Sequence, residues 1–598
     1  MARRTVVLLA LGIATALLLV PAMFDEDFAQ SPPPHVPGEL LIKFRPEVPA
    51  AGRHALQADL NATRLHTFTS GAQHWRLNGT SRIEDVVDDI RNDTRVEYVD
   101  LNHLGEFTVS PNDTEYSLQW PPPQIEAATA WDIETGANVH VAVIDSGTAF
   151  LHVDLVSNKW VNDDPVNGID DDGNGFIDDH VGWDFISGDN NPAPSGNNHG
   201  TAVAGIIGAT LNNNEGVVGV APDVRLMIFR TGEQHIDEAA TIKAIDYAVM
   251  ERAQVINASW RFLGCGGPPP CHEPLRKAIE YAWNKEIVFV AGAGNEDQDI
   301  DDPGNARSYP ANFTLPNIIG VAGTDQYDDK VSDSSYGPVS VDLAAPGTQI
   351  RTTDFDSNLP IGDQNKYVYF AGTSSATPHV SGAAALLYAR KPGIPAEIVK
   401  ARLLENVDIV LDDGIVATDG RLNARRPLLN LDTNSPANMT SFVALGSTNN
   451  SVTLQWTATG DDGSQGTAKM YQLRHQDYFD GPLPWLDCQQ VEGEPVPAAQ
   501  GTVQGMTVGD LPLGKALVFR LRAYDEWGNG NNYNTVICRT SGGACTTSFC
   551  KAQGEVFKRC TFNGTYGSCG CCQYTCVLDE TCQEADHCQP FICPEACN

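Results

Sequence analysis

Residues 139–144 form an almost unbroken apolar run of β-branched character, the pattern of a parallel strand buried on both faces, and Asp145 stands where the run stops. From residue 120 to about residue 429 such runs alternate with amphipathic stretches. In residues 241–250, Ile242, Ile245 and Val249 share one helical face, and Val255-Ile256 restarts a strand. Residues 274–283 repeat the scheme before a strand at 287–290. This alternation predicts an α/β fold, a doubly wound parallel sheet. After Asn430 the period changes to two, at residues 451–456, 469–474 and 516–524, with Gly, Asn and Asp between, which predicts a β-sandwich. Ahead of the α/β region, residues 39–44, 74–77 and 96–99 read as strands. A helix near residues 51–60 and another opening at the capping box Ser81-Arg-Ile-Glu84 and running to about Asn92 complete an α/β plait.

Three short motifs lie at the ends of these elements: Val141-Ala-Val-Ile-Asp145-Ser-Gly147, Asn198-His199-Gly-Thr201 and Gly372-Thr-Ser374-Ser-Ala376. Sites in open α/β sheets collect at the carboxyl ends of strands, where Asp145 is expected. His199 precedes small and apolar residues suited to a tightly packed helix, so a rigid element would hold its imidazole. Ser374 is expected at a helix start, facing free backbone donors, with Pro378 in the first turn. Singly, each has a plain structural reading: a turn-forming Asp, a structural His, a helix-capping Ser. Together they supply a nucleophile, a general base and the carboxylate that orients the base. Their order, Asp, His, Ser, is that of the subtilisin form of the serine protease triad, whereas α/β-hydrolases run Ser, Asp, His around Gly-x-Ser-x-Gly.

On these motifs, and on residues 308–312 and 342–347, about half of the chain resembles the subtilisin-like serine endopeptidases, the subtilases. The resemblance implies acyl transfer from protein or peptide substrates to Ser374, with His199 as base and Asp145 orienting it. It also implies an oxyanion-hole asparagine at Asn295, in Ala291-Gly292-Ala-Gly294-Asn295, and substrate-binding segments containing Ser259, Trp260, Arg261, Gly292 and Gly294. Two positions depart from the family pattern. Ser375 stands where Met is frequent, leaving Ser375 as the alternative nucleophile. Arg261 stands where Gly often follows, and it either alters the substrate pockets or points to solvent. The plait resembles the subtilase propeptide, an inhibitor and folding aid of its own enzyme; a permanent regulatory module is the alternative. Self-cleavage is then expected between His103 and Tyr116. The modules after the α/β region are compatible with a secreted binding or adhesion protein whose catalytic domain is dead, but such proteins normally lack a triad member and none is missing here. The sandwich resembles a fibronectin type III module.

The chain has 598 residues, which is too long for one core. The expected division is a signal peptide at 1–30, the propeptide at 31–110, the catalytic domain at 115–430, the sandwich at 431–540 and a Cys-rich module at 541–598. Basic Arg3-Arg4 precedes an apolar stretch too short for a comfortable membrane span, as in a secretory signal; an uncleaved anchor is the alternative. A secreted monomer, off the membrane once the signal is removed, is expected. The net charge of −37 argues against nucleic acid or anionic membrane as a partner. Eleven of the fifteen cysteines fall within residues 545–597, the density of a disulfide-stapled module from an oxidising compartment. Cys265 with Cys271, and Cys488 with Cys538, are candidate pairs.

One acidic loop carries a candidate ion-binding pattern. Asp170-Asp-Asp172-Gly-Asn174-Gly175-Phe176-Ile-Asp178-Asp179 matches the opening of a calcium-loop pattern but lacks its closing Glu, since position twelve is Val181. A structural Ca²⁺ held by Asp170, Asp172, Asn174, the Phe176 carbonyl and Asp178 or Asp179 is expected, against a solvated acidic turn.

Overall fold

The computed structural model describes residues 35–540 apart from 79–82, 92, 104–109, 265–270, 357, 360–363 and 413, together with the backbone of 548–553, 556–566 and 572–578. The chain divides into two compact units, residues 1–109 and 110–598. The signal segment and most of the Cys-rich tail lie outside the described residues.

In the first unit, strands His35–Phe44, Ala62–Thr67, Gln73–Leu77 and Val96–His103 form one antiparallel sheet, with the first strand between the third and fourth. Helices Ala50–Asp59 and Ile83–Arg91 lie at the expected positions. Leu40, Ile42, Trp75, Val87, Ile90 and Val99 fill the core. Strand Ala62–Thr67 was not expected. It is an edge strand with five of six residues exposed, so it carries no apolar alternation to read.

The second unit is built on a nine-stranded sheet. Its order is Asp408–Ile409, Gly420–Arg421, Leu343–Pro346, Ile318–Thr324, Val288–Gly292, Val255–Ala258, His140–Asp145, Arg225–Arg230 and Gly182–Asp184. All neighbours are parallel except the first pair. The central strands are apolar throughout because both faces are covered. Helices His199–Gly208, Thr373–Arg390 and Ala396–Glu405 pack on one side, and Glu238–Met250 and Glu273–Asn284 on the other. From His140–Asp145 the chain runs out to the edge strand Gly182–Asp184, comes back beside His140–Asp145 as Arg225–Arg230, and then crosses to its opposite side at Val255–Ala258. That reversal opens a crevice at the carboxyl ends of these two strands.

Beyond residue 430, a three-stranded sheet of Thr440–Ser447, Val452–Thr457 and Val503–Val508 shares a core with a four-stranded sheet of Gln489–Gln490, Met470–Asp477, Ala516–Tyr524 and Asn534–Arg539. Trp527, from the loop after Ala516–Tyr524, leaves that core and packs fully buried in the helix layer of the nine-stranded sheet. Cys488 and Cys538 do not form the expected bridge. Both are buried thiols, and the Cys488 sulfur instead lies 3.3 Å from Gln476 Oε1 and 3.2 Å from Arg520 Nη1. Cys271 is disulfide-bonded, whereas Cys265 lies outside the described residues.

Candidate active site

Strand register assembles the crevice. Val143 pairs with Asn257 and Ala258 with Ala291, so Asp145, Ser259 and Gly292 stand level at the ends of three adjacent strands. His199 is the first residue of its helix, and Gly200 lets that helix start against the strand end. A Cβ on Gly200 would come 2.4 Å from the Gly147 carbonyl oxygen and 3.0 Å from Asp145 Cβ.

His199 Nδ1 donates to Asp145, at 2.8 Å from Oδ1 and 3.0 Å from Oδ2. Asp145 is 3% exposed and also accepts the Ser146 N–H at 2.7 Å. Burial opposes protonation of His199, but the charge of Asp145 and its hydrogen bond outweigh it, so the imidazole pKa is raised. This contact fixes the tautomer, leaving Nε2 as the acceptor nitrogen.

Ser374 is the second residue of helix Thr373–Arg390, after Gly372 at φ 100°. Its hydroxyl donates to the Ser259 carbonyl at 3.0 Å, and rotation about χ1 re-aims it. Pro378 falls in the second turn of this helix, later than expected, and has a specific consequence. It lacks the N–H that would bond the Ser374 carbonyl, and Ser259 Oγ donates to that carbonyl instead, at 3.1 Å. The two serines are thereby clipped together. Ser375, the alternative nucleophile, is fully buried with its hydroxyl donating to the Gly372 carbonyl at 2.8 Å.

Asn295 is oriented by a residue that sequence reasoning missed. Its Oδ1 accepts both the Thr373 N–H at 2.8 Å and the Thr373 hydroxyl at 3.1 Å, which turns its Nδ2 donors away from Thr373. Gly294, at φ 110°, donates its own N–H to Thr373 Oγ1 at 3.2 Å. A Cβ on Gly292 would press to 3.1 Å against the hydroxyls of Thr373 and Thr377. The sequence signal was only the Thr beside the Ser.

The expected substrate segment divides. Ser259 faces Ser374. Trp260 turns its indole inward, donating to the Ile144 carbonyl at 2.7 Å and packing on Phe262 and Phe289, so its side chain lies half-buried against the core. Arg261 does not point freely to solvent. Its guanidinium is paired with the carboxylate of Glu296, the residue after Asn295.

The acidic loop does not gather all of its expected donors. Asp170 accepts the backbone N–H groups of Gly173, Asn174 and Gly175, and Asp178 those of Asn167 and Gly168. Asp172, Asn174 and Asp179 do meet, joined by Asn162 and by Glu251, which was not foreseen. Phe176 packs its ring against Tyr247, whose hydroxyl donates to Asp179. Burial and neighbouring carboxylates raise the pKa of Asp179 and Glu251. Among the described residues, no three acidic, His or Cys side chains are grouped closely enough to hold an ion as they stand. A second buried carboxyl, Asp154, accepts Asn213 Nδ2 at 2.6 Å and the Val217 N–H at 2.9 Å. Burial pushes its pKa up to about 6.

Residues 136–426 match the subtilase family, and residues 25–102 match the fervidolysin N-terminal prodomain. The chain is 33% identical over 398 residues to a thermophilic serine proteinase of Bacillus sp. (strain AK1), covering 65% of this chain and 87% of that one. It is 37% identical over 319 residues to thermitase of Thermoactinomyces vulgaris, covering 53% and 98%. A solved protease structure from Pseudoalteromonas arctica shares 25% identity over 54% of this chain and 99% of that one, with a TM-score of 0.45.

Proposed function

The chain belongs to the subtilase family as a subtilisin-like serine protease with a prodomain, and from that premise we propose the residues that carry its chemistry. Ser374 Oγ attacks the scissile carbonyl while His199 Nε2 takes its proton. Asp145 holds the imidazole in the tautomer this requires and stabilises its charged form. The oxyanion is met by Asn295 Nδ2 and by the Ser374 N–H, one of the free donors of the helix start. His199 then protonates the leaving amine, and water releases the acyl group by the reverse path.

The observation that carries this reading is the 2.8 Å contact of His199 with Asp145 at the sheet's reversal point, level with the Ser259 that clips Ser374. Hydrolysis of an unstructured protein substrate by matched variants tests it. Ser374→Ala should abolish turnover, and Ser375→Ala should retain it. The opposite result would transfer the nucleophile to Ser375.

We further propose that the precursor is secreted on residues 1–30 and cuts itself between His103 and Tyr116, freeing the prodomain as an inhibitor. N-terminal sequencing of the active enzyme checks this, and a mature start upstream of Glu39 contradicts it. Structural calcium is proposed for the acidic loop, where Asn174 bridges Asp172 and Asp179, because hard carboxylate oxygens suit that ion. No helix among the described residues is long and apolar enough to cross a membrane.

A further inference from the structure

Glu296 directly follows the asparagine assigned to the oxyanion hole. A substrate carbonyl lodged on Asn295 therefore brings the residue that owns that carbonyl against the Asn295-Glu296 corner. The Glu296 carboxylate is held there by the chain itself: its Oε2 accepts the Asn295 N–H at 3.0 Å, and its own N–H donates to Ser335 Oγ at 3.3 Å. Ser335 also donates its N–H to the Gly294 carbonyl at 2.9 Å. Left alone, this fixed anion beside the reaction centre would attract a Lys or Arg side chain on the acyl side of the scissile bond.

Arg261 already takes that role. It comes from the segment that also carries Ser259, whose carbonyl and hydroxyl both bond Ser374. Its side chain crosses to Glu296, passing so close to Gly294 that a Cβ there would lie 3.1 Å from Arg261 Cδ and 3.2 Å from Nε. The Arg261 and Glu296 side chains are 21% and 38% exposed, so the pair stands at the rim of the crevice and within reach of a bound peptide.

We propose that Arg261 is a built-in counter-ion for Glu296 and thereby a specificity determinant: it cancels the Glu296 charge beside the oxyanion hole, so that the enzyme favours uncharged over basic residues on the acyl side of the bond it cuts. This rests on the assignment of Asn295 and Ser374 above. A pair this exposed adds little to stability, so its effect is on substrate choice.

The test is kcat/KM on a matched series of peptide p-nitroanilides differing only in the residue before the scissile bond: Gln, Leu, Lys or Glu. Wild type should cleave the Gln and Leu peptides in preference to Lys. Arg261→Ser should raise the Lys-to-Gln ratio about five- to tenfold at low salt, the gain shrinking as ionic strength rises. Adding Glu296→Gln to that variant should return the ratio to the wild-type value. Glu296→Gln alone, which leaves the guanidinium unpaired, should raise the Glu-to-Gln ratio instead, and this arm stands even if Arg261→Ser fails to fold. Unchanged ratios in variants that still cleave the Gln peptide would overturn the proposal and leave the catalytic assignment intact. Absence of cleavage of every peptide by wild type would overturn the catalytic assignment and this inference with it.

Discussion

The guanidinium of Arg402 stands 3.5 Å from the ring centroid of Trp527, and the two residues belong to different sheet systems. Arg402 lies on helix Ala396–Glu405 beside the nine-stranded sheet, where its Nε and Nη2 donate to the Pro427 carbonyl at 2.9 and 2.7 Å. Trp527 comes from the C-terminal sheet pair and is fully buried in the other layer's core. Gly528, at φ 72°, follows it so closely over Pro395 that a Cβ would fall 2.6 Å from the proline ring. A second tie is Arg474, whose fully buried side chain reaches Glu286 at 2.5 Å. The C-terminal sheets are thus anchored through the protease core rather than tethered to it.

Trp527→Ala should therefore lower the stability of the protease domain itself, by about 3–5 kcal/mol, the usual cost of emptying a large buried aromatic site. Urea unfolding followed by loss of activity measures it. A change confined to the C-terminal sheets, with protease unfolding unaltered, would contradict the anchoring.

The acid limb of kcat/KM should report His199. Only the neutral imidazole accepts the Ser374 proton, and Asp145 raises the imidazole pKa above 6.5, so activity should be lost as pH falls through a value above 6.5. Asp145→Asn removes the charge that favours the protonated ring. Its limb should move to lower pH, with kcat reduced about 10⁴-fold. A pH–rate profile of the two proteins decides, and an unmoved limb would separate Asp145 from His199.

Asp154 should make stability depend on pH in the direction opposite to a salt-bridged carboxylate. Its folded pKa of about 6 lies above the ordinary 3.8. The folded state therefore holds the proton more tightly, and the stability this contributes is complete below 3.8 and lost as pH rises through about 6. Relative to Asp154→Asn, the wild type should lose about 3 kcal/mol between pH 3.5 and 7.5 when both are unfolded by urea in chelator. A pH-independent difference would contradict the burial argument.

Calcium should raise the thermal midpoint. Saturation at about a hundredfold excess over Kd adds about 2.7 kcal/mol. A midpoint indifferent to both chelator and added calcium would remove the ion from the account.

Much of this architecture could be read from the chain because its signals are local. The apolar run ending at Asp145 became strand His140–Asp145, and the stretch around Ile245 became helix Glu238–Met250, capped by Asp237 accepting the Ala240 N–H. Strand Ala516–Tyr524 fell where alternation put it. What escaped depends on contacts between distant segments. Arg261 and Glu296 are 35 positions apart, and nothing in either stretch announces the other. The burial of Trp527 in the core of the nine-stranded sheet leaves no periodic mark in the sequence around it. The acidic loop is a related case: its spacing does not show that the Asp170 and Asp178 carboxylates accept neighbouring backbone N–H groups. Thr373 was hidden behind the serine it precedes.

The most direct measurement of the central claim is peptide mapping of the mature protein after reaction with phenylmethylsulfonyl fluoride. One adduct per chain is expected, on Ser374, accompanied by complete loss of hydrolysis and absent from the His199→Ala variant. An adduct on another residue, or full inhibition with Ser374 unmodified, would contradict the claim.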